Sequence, residues 1–173
     1  MKELKQKTKK IISLLEKKYP NPTTDLLHNS PFELLIATIL SAQCTDKQVN
    51  AVTPSLFSKY PDAESLSQAN LLEIETIIKS TGFYHNKAKF IIGCAKSISD
   101  RYYGVVPLTM EQLLTLSGVG RKTANCVLSI YSQPEGIVVD THIIRLTRLL
   151  GLVSCLEASK IELELMKIVE RND

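Results

Sequence analysis

The sequence predicts an all-α fold, a bundle of short helices, on three observations. Apolar residues recur at spacings of three and four in one segment after another. Alternation with a period of two is nearly absent. Capping residues stand just ahead of the apolar stretches, and Gly or Pro follows several of them.

The first segment is basic and amphipathic, with Leu4, Ile11, Leu15 and Tyr19 near one face and lysines around them. Pro20 and Pro22 end it. Ser30 is placed to cap a second helix, Pro31 takes its first position, and Glu33 completes a capping box. The stretch from Phe32 to Leu40 is apolar nearly all round, the pattern of a buried helix. A third helix follows Asp46 and turns Val49, Val52, Leu56 and Phe57 inward. Asn70 caps a short helix carrying Leu71, Ile74 and Ile78, which Ser80, Thr81 and Gly82 stop. The next runs from about Asn86 to Arg101, with Ala88, Ile91, Ile92, Ala95 and Ile98 inside. Thr109 and Gln112 form another capping box. Gly118 and Gly120 break the segment after it, and helix resumes through Ala124, Val127, Leu128 and Tyr131. Pro134 to Gly136 reads as a turn. Asp140 is placed to cap a helix holding Ile144, Leu146, Leu149 and Leu150. Ser154 and Glu157 box the last, which carries Ile161, Leu165, Ile168 and Val169.

Length and composition bound the function. The 173 residues suffice for one compact domain or two small lobes, and a hydrophobic share of 44% argues against disorder. No apolar run approaches the roughly 20 residues that span a bilayer. The Lys-rich N-terminus lacks the apolar centre of a signal peptide, so a cytoplasmic location is expected. A net charge of +3 permits nucleic-acid binding without demanding it. Cys44, Cys94, Cys126 and Cys155 are far apart, with no C-x-x-C spacing. They read as small, buried, reduced thiols rather than metal ligands.

The informative stretch is Leu116-Ser117-Gly118-Val119-Gly120-Arg121-Lys122-Thr123-Ala124. A helix ends, two glycines flanking one apolar residue make a tight turn, and a new helix begins. Leu116 and Val119 are placed to anchor the turn in the core. The amides of Gly118 to Gly120 then face one phosphate at the positive end of the new helix. Such contacts read no sequence, which suits a protein that scans any DNA.

This stretch, LSGVGRKTAN, resembles the helix–hairpin–helix of the endonuclease III family of DNA glycosylases. VDTHIIRL at 139–146 resembles that family's Asp-containing loop, and LLIATILSAQCTD at 34–46 and GFYHNKA at 82–88 resemble two of its DNA-facing segments. The four motifs stand in the family's order. The resemblance implies two helical lobes flanking a DNA-binding cleft: a helical barrel over 22–136, and a second lobe from 1–21 plus 137–173. It implies base-excision repair by a bifunctional glycosylase and abasic-site β-lyase that removes oxidised pyrimidines. The partner is double-stranded DNA carrying damaged bases or abasic sites, and the chain is expected to act on it as a monomer.

The resemblance assigns Lys122 as nucleophile and Asp140 as its acidic partner. Breaking an N-glycosidic bond builds positive charge at C1′ of the sugar, and an amine attacking there forms a Schiff base that permits loss of the 3′ phosphate. A free lysine titrates near about 10.4, so the amine must be made part-neutral. A helix N-terminus and neighbouring Arg121 both disfavour an ammonium, and burial would add to this. A facing carboxylate stabilises the cationic sugar and moves protons. By the same resemblance Gln43 fills the space of the extruded base and Phe83 pushes on the opposite strand, where the family often has another apolar residue. Asp46 and His142 are weaker candidates for substrate contact. Relatives that only remove bases typically lack an amine at the position of Lys122.

The family also implies four closely spaced cysteines near the C-terminus, ligating a [4Fe–4S] cluster after two further helices. This sequence ends at Asp173 before such a segment, and none of its four cysteines matches a ligand. No cofactor is expected on this chain, and Ile161, Leu165 and Ile168 are expected to lie partly exposed. Two other functions remain open on the sequence. One is a non-catalytic or truncated helix–hairpin–helix remnant that only binds DNA. The other is a mismatch-specific glycosylase, whose adenine-removing form is disfavoured by Lys122 and by apolar Ile39 where those relatives keep an acid.

Overall fold

The computed structural model describes residues 2–20, 23–133 and 136–169. All of its regular elements are helices, and no strand occurs among the described residues. The chain divides into two compact units, Thr24–Pro134 and Met1–Thr23 with Glu135–Asp173.

After α1 (Lys2–Lys18), which belongs to the second unit, seven helices pack together in the first: α2 (Pro31–Leu40), α3 (Asp46–Lys59), α4 (Ala63–Ser67), α5 (Leu71–Ile78), α6 (Tyr84–Tyr102), α7 (Met110–Leu113) and α8 (Arg121–Tyr131). A single 3-10 turn, Lys79–Thr81, joins α5 to α6. α2 lies at the centre, packed on α3, α6 and α8. Leu34, Leu35, Ile36, Ala37 and Leu40 expose nothing, as an all-round apolar helix requires. Its one polar interior residue, Thr38, donates its hydroxyl back to the Leu34 carbonyl at 2.7 Å.

The caps show which local signals the chain obeys. Ser30 Oγ accepts from the Glu33 amide at 3.1 Å and Pro31 opens α2, as expected. The reciprocal half differs: Glu33 reaches past Ser30 and accepts from Asn29 N–H at 2.7 Å and from its side-chain amide at 3.0 Å. Thr109 Oγ1 likewise accepts from Gln112 N at 3.4 Å, while the Gln112 side-chain Oε1 accepts from the Thr109 hydroxyl at 2.9 Å rather than from the Thr109 amide. A complete box occurs at Asp62 and Ser65, ahead of α4, where no element was predicted. Five residues are too few to show a period. Asn70 caps α5 through the amides of Leu72 and Glu73, as expected.

The second unit holds α1 (Lys2–Lys18), α9 (Thr141–Leu149) and α10 (Ala158–Ile168) around Leu152, Val153, Ile161, Leu165 and Ile168. Ile161, Leu165 and Ile168 are thus buried, at 0–4% exposure, against the expectation of a partly open face. Leu4 and Ile11 of α1, with Ile143 and Ile144 of α9, close over them. The boxed start at Ser154 also fails. Val153 is drawn into the core and α10 begins only after Glu157, with no side-chain cap. Glu157 instead pairs with Lys160 at 2.8 Å and accepts from the Ser159 hydroxyl at 2.8 Å. The inward stripes of α1 and α9 are rotated from prediction, leaving Leu15, Tyr19, Leu146, Leu149 and Leu150 exposed. The turn predicted at Pro134 to Gly136 falls mostly outside the described residues. Among those described, no helix is long and apolar enough to cross a membrane.

Candidate nucleic-acid interface and catalytic residues

The hairpin between α7 and α8 is built as a rigid turn on a buried footing. Leu116 and Val119 are both buried in the core beneath it, so the turn is held from below. Gly118 has φ +75, a conformation side chains rarely adopt. A Cβ there would also stand 2.7 Å from Cβ and 3.0 Å from Cγ of Phe90. Gly120 is different: its φ is −103 and a Cβ would meet nothing within 4 Å. Only the first glycine is demanded by the protein's own geometry.

The set of unbonded amides in this turn is narrower than the sequence suggests. Val119 N–H is bonded to the Leu116 carbonyl at 3.2 Å. The amides of Gly118 and Gly120 have no partner among the described residues. Gly120 is the N-cap of α8 and supplies no side chain, so the positive end of that helix opens directly onto solvent. Replacing Gly118 by Ala is expected to cost about 2–4 kcal/mol, from left-handed strain and the Phe90 overlap. Gly120→Ala is expected to cost about 1 kcal/mol or less. Thermal denaturation of the two variants checks this, and equal melting temperatures would contradict the geometry.

Lys122 is the second residue of α8 and is exposed, not buried. Arg121 before it is exposed as well. Asp140, in the other unit, is the N-cap of α9. Its Oδ1 accepts both the His142 amide at 3.0 Å and the Ile143 amide at 2.9 Å. Its Oδ2 has no partner among the described residues, so the half-buried carboxylate caps with one oxygen and keeps the other. Asp46 opens α3 behind the Thr45 cap and is half-buried. His142 is exposed, and its ring has no hydrogen-bond partner among the described residues.

Gln43 and Phe83 share an unusual backbone. Gln43, in the loop from α2 to α3, has φ +52, and Phe83, ahead of α6, has φ +49. Both side chains are exposed, Phe83 at 68%. A core role for either is therefore excluded. Left-handed backbone at a non-glycine residue costs about 1–2 kcal/mol, and such strain concentrates at functional loops.

One residue beside this loop was missed. Lys87 is only 4% exposed. Its ammonium donates to the Thr81 carbonyl at 2.8 Å. The signal was present in the sequence: Lys87 occupies the inward register of α6 that Ile91, Cys94 and Ile98 continue.

The cysteines present do not fit an iron–sulfur cluster. All four are free. Burial pushes the Cys94 thiol up to about 12, opposite to what a thiolate ligand needs. Among the described residues no three His, Cys, Asp or Glu side chains gather to hold a metal.

A match to the HhH-GPD superfamily of base excision DNA repair proteins extends over residues 36–171. This chain belongs to that family. The HhH-GPD match takes in Gln43, Asp46, Phe83, the hairpin, Lys122, Asp140 and His142. Among its relatives, endonuclease III of Synechocystis sp. is 49% identical over 98% of this chain and 78% of its own length. That of Bacillus subtilis is 43% identical, over 90% and 71%. That of Escherichia coli is 38% identical, over 95% and 78%. Two solved structures match with TM-scores of 0.89 and 41% identity over 96% of this chain, one a non-covalent endonuclease III–DNA complex and one a trapped endonuclease III–DNA covalent intermediate. They are covered over 78% and 79% of their lengths. A thermostable thymine-DNA glycosylase, at 22% identity and a TM-score of 0.80, shares the HhH-GPD fold.

Proposed function

We propose that this protein is a base-excision repair enzyme, a bifunctional DNA glycosylase and abasic-site β-lyase that removes oxidised pyrimidines from double-stranded DNA. It acts as a monomer in the cytoplasm. The observation that carries the reading is an exposed amine, Lys122, on the uncapped opening of α8, immediately after a turn with two unpartnered glycine amides.

The glycine amides and the positive end of α8 receive a phosphate of the damaged strand and set the register without reading bases. The target nucleotide leaves the stack, at a cost of a few kcal/mol. Gln43 and Phe83 offset this by filling the gap from their left-handed loops. The neutral Lys122 amine then attacks C1′, and the C1′–N bond breaks with its electron pair leaving on the base, which takes a proton. Opening of the sugar ring gives an iminium. Loss of a C2′ proton breaks the C3′–O bond, and the phosphate departs with the downstream strand. Water hydrolyses the imine and returns the free lysine. Asp140 is the acidic group of the reaction, its Oδ2 opposing positive charge at C1′ and accepting or returning protons. That a relative 41% identical has been trapped covalently on DNA supports the imine route.

Incubation with a duplex holding one oxidised pyrimidine tests the proposal. Free base and a nick at the lesion are expected, and the matching undamaged duplex stays intact. Tight binding with no incision, even of a preformed abasic site, would reduce the protein to a DNA-binding module.

A further inference from the structure

Lys87 stands apart from every other described lysine, all of which are exposed. Burying an ammonium is costly unless something holds it. No carboxylate does so among the described residues, and its hydrogen-bond partner is a backbone carbonyl, that of Thr81. Its own amide donates to the Phe83 carbonyl at 3.1 Å. That amide bond is the ordinary first turn of α6; the side chain adds a hold on the carbonyl that enters Gly82, at φ +68, just ahead of the strained Phe83 backbone. Burial holds Lys87 below its ordinary value. A methionine or leucine would fill the same space in α6 without the desolvation. The charge therefore has work to do at the loop that begins at Thr81.

We infer that Lys87 is a positioning residue: its buried ammonium, bonded to the Thr81 carbonyl, holds the loop bearing Phe83 so that Phe83 enters the duplex preformed. This rests on the repair function proposed above and on the wedge role of Phe83. Lys87 touches neither DNA nor the reacting atoms. Its effect belongs to base extrusion, the step before chemistry.

The test compares Lys87→Met, which keeps the stem and removes the donor, with Lys87→Arg, which restores a charged donor. Three quantities are read: excision of an oxidised pyrimidine in single turnover, incision of a preformed abasic site, and fluorescence of 2-aminopurine at the target position. Lys87→Met is expected to lose about tenfold in excision and most of the unstacking signal, with abasic incision within about threefold, because an abasic sugar has no base to extrude. Lys87→Arg recovers the signal. In a Phe83→Ala background Lys87→Met adds nothing, as for two residues acting through one step. Equal losses on both substrates, unchanged excision, or full additivity with Phe83→Ala would overturn the inference. Should Lys87→Met not fold, Lys87→Gln is read by the same criteria. A wild-type protein that incises neither substrate sinks the repair function itself, which no variant at position 87 can do.

Discussion

Lys122→Ala is expected to cut no strand at a lesion and to leave no borohydride-trapped adduct, a loss of about 10³-fold or more in incision, or about 4 kcal/mol of barrier. The side chain is exposed on the first turn of α8, so its removal touches no packing. Surface substitutions of this kind move stability by about 0.5 kcal/mol or less, and the melting temperature should hold. Lys122→Arg sharpens the point. A guanidinium keeps the positive charge and the phosphate attraction, yet stays protonated and offers no nucleophile. Its DNA affinity should match the wild type while incision is lost. Wild-type incision by the arginine variant would remove Lys122 from the chemistry.

Asp140→Asn should lower the rate by about 10²–10⁴-fold with little change in stability. The two roles of Asp140 separate cleanly because Oδ1 alone carries the cap. Asparagine caps as well as aspartate, so α9 keeps its start and only the carboxylate charge goes. Asp140→Ala removes both, and should add a stability loss of about 1 kcal/mol. Rate measurements with thermal melts of the two variants check this. If Asp140→Asn retains full activity, the aspartate is a cap and nothing more.

The signals that the sequence made legible were the local ones. Asp140, Asn70 and Ser30 cap where they were expected to, because a cap is decided by a side chain and amides two or three residues away. The hairpin was legible for the same reason: its glycines, its anchors and the lysine after it lie within nine residues. Which way a helix faces was harder. Thr8 and Thr147 are buried because each returns its hydroxyl to a carbonyl four residues back, Leu4 at 2.9 Å and Ile143 at 2.6 Å. A threonine satisfied in this way packs like an apolar residue. The stripes on α1 and α9 therefore run through it, and Leu15 and Leu149 turn outward. The left-handed backbone of Gln43 and Phe83 was not legible, since a positive φ at a non-glycine residue leaves no mark in sequence. Lys87 did leave a mark, a charge on a buried stripe, but its meaning depends on the Thr81 carbonyl.

The most direct test of the whole account is to reduce the reaction on an oxidised-pyrimidine duplex with borohydride, digest the adduct and locate the sugar remnant by mass spectrometry. The account predicts a single modified peptide, with the remnant on the Lys122 side chain. A remnant on any other amine, or efficient strand cleavage with nothing trapped, would contradict it.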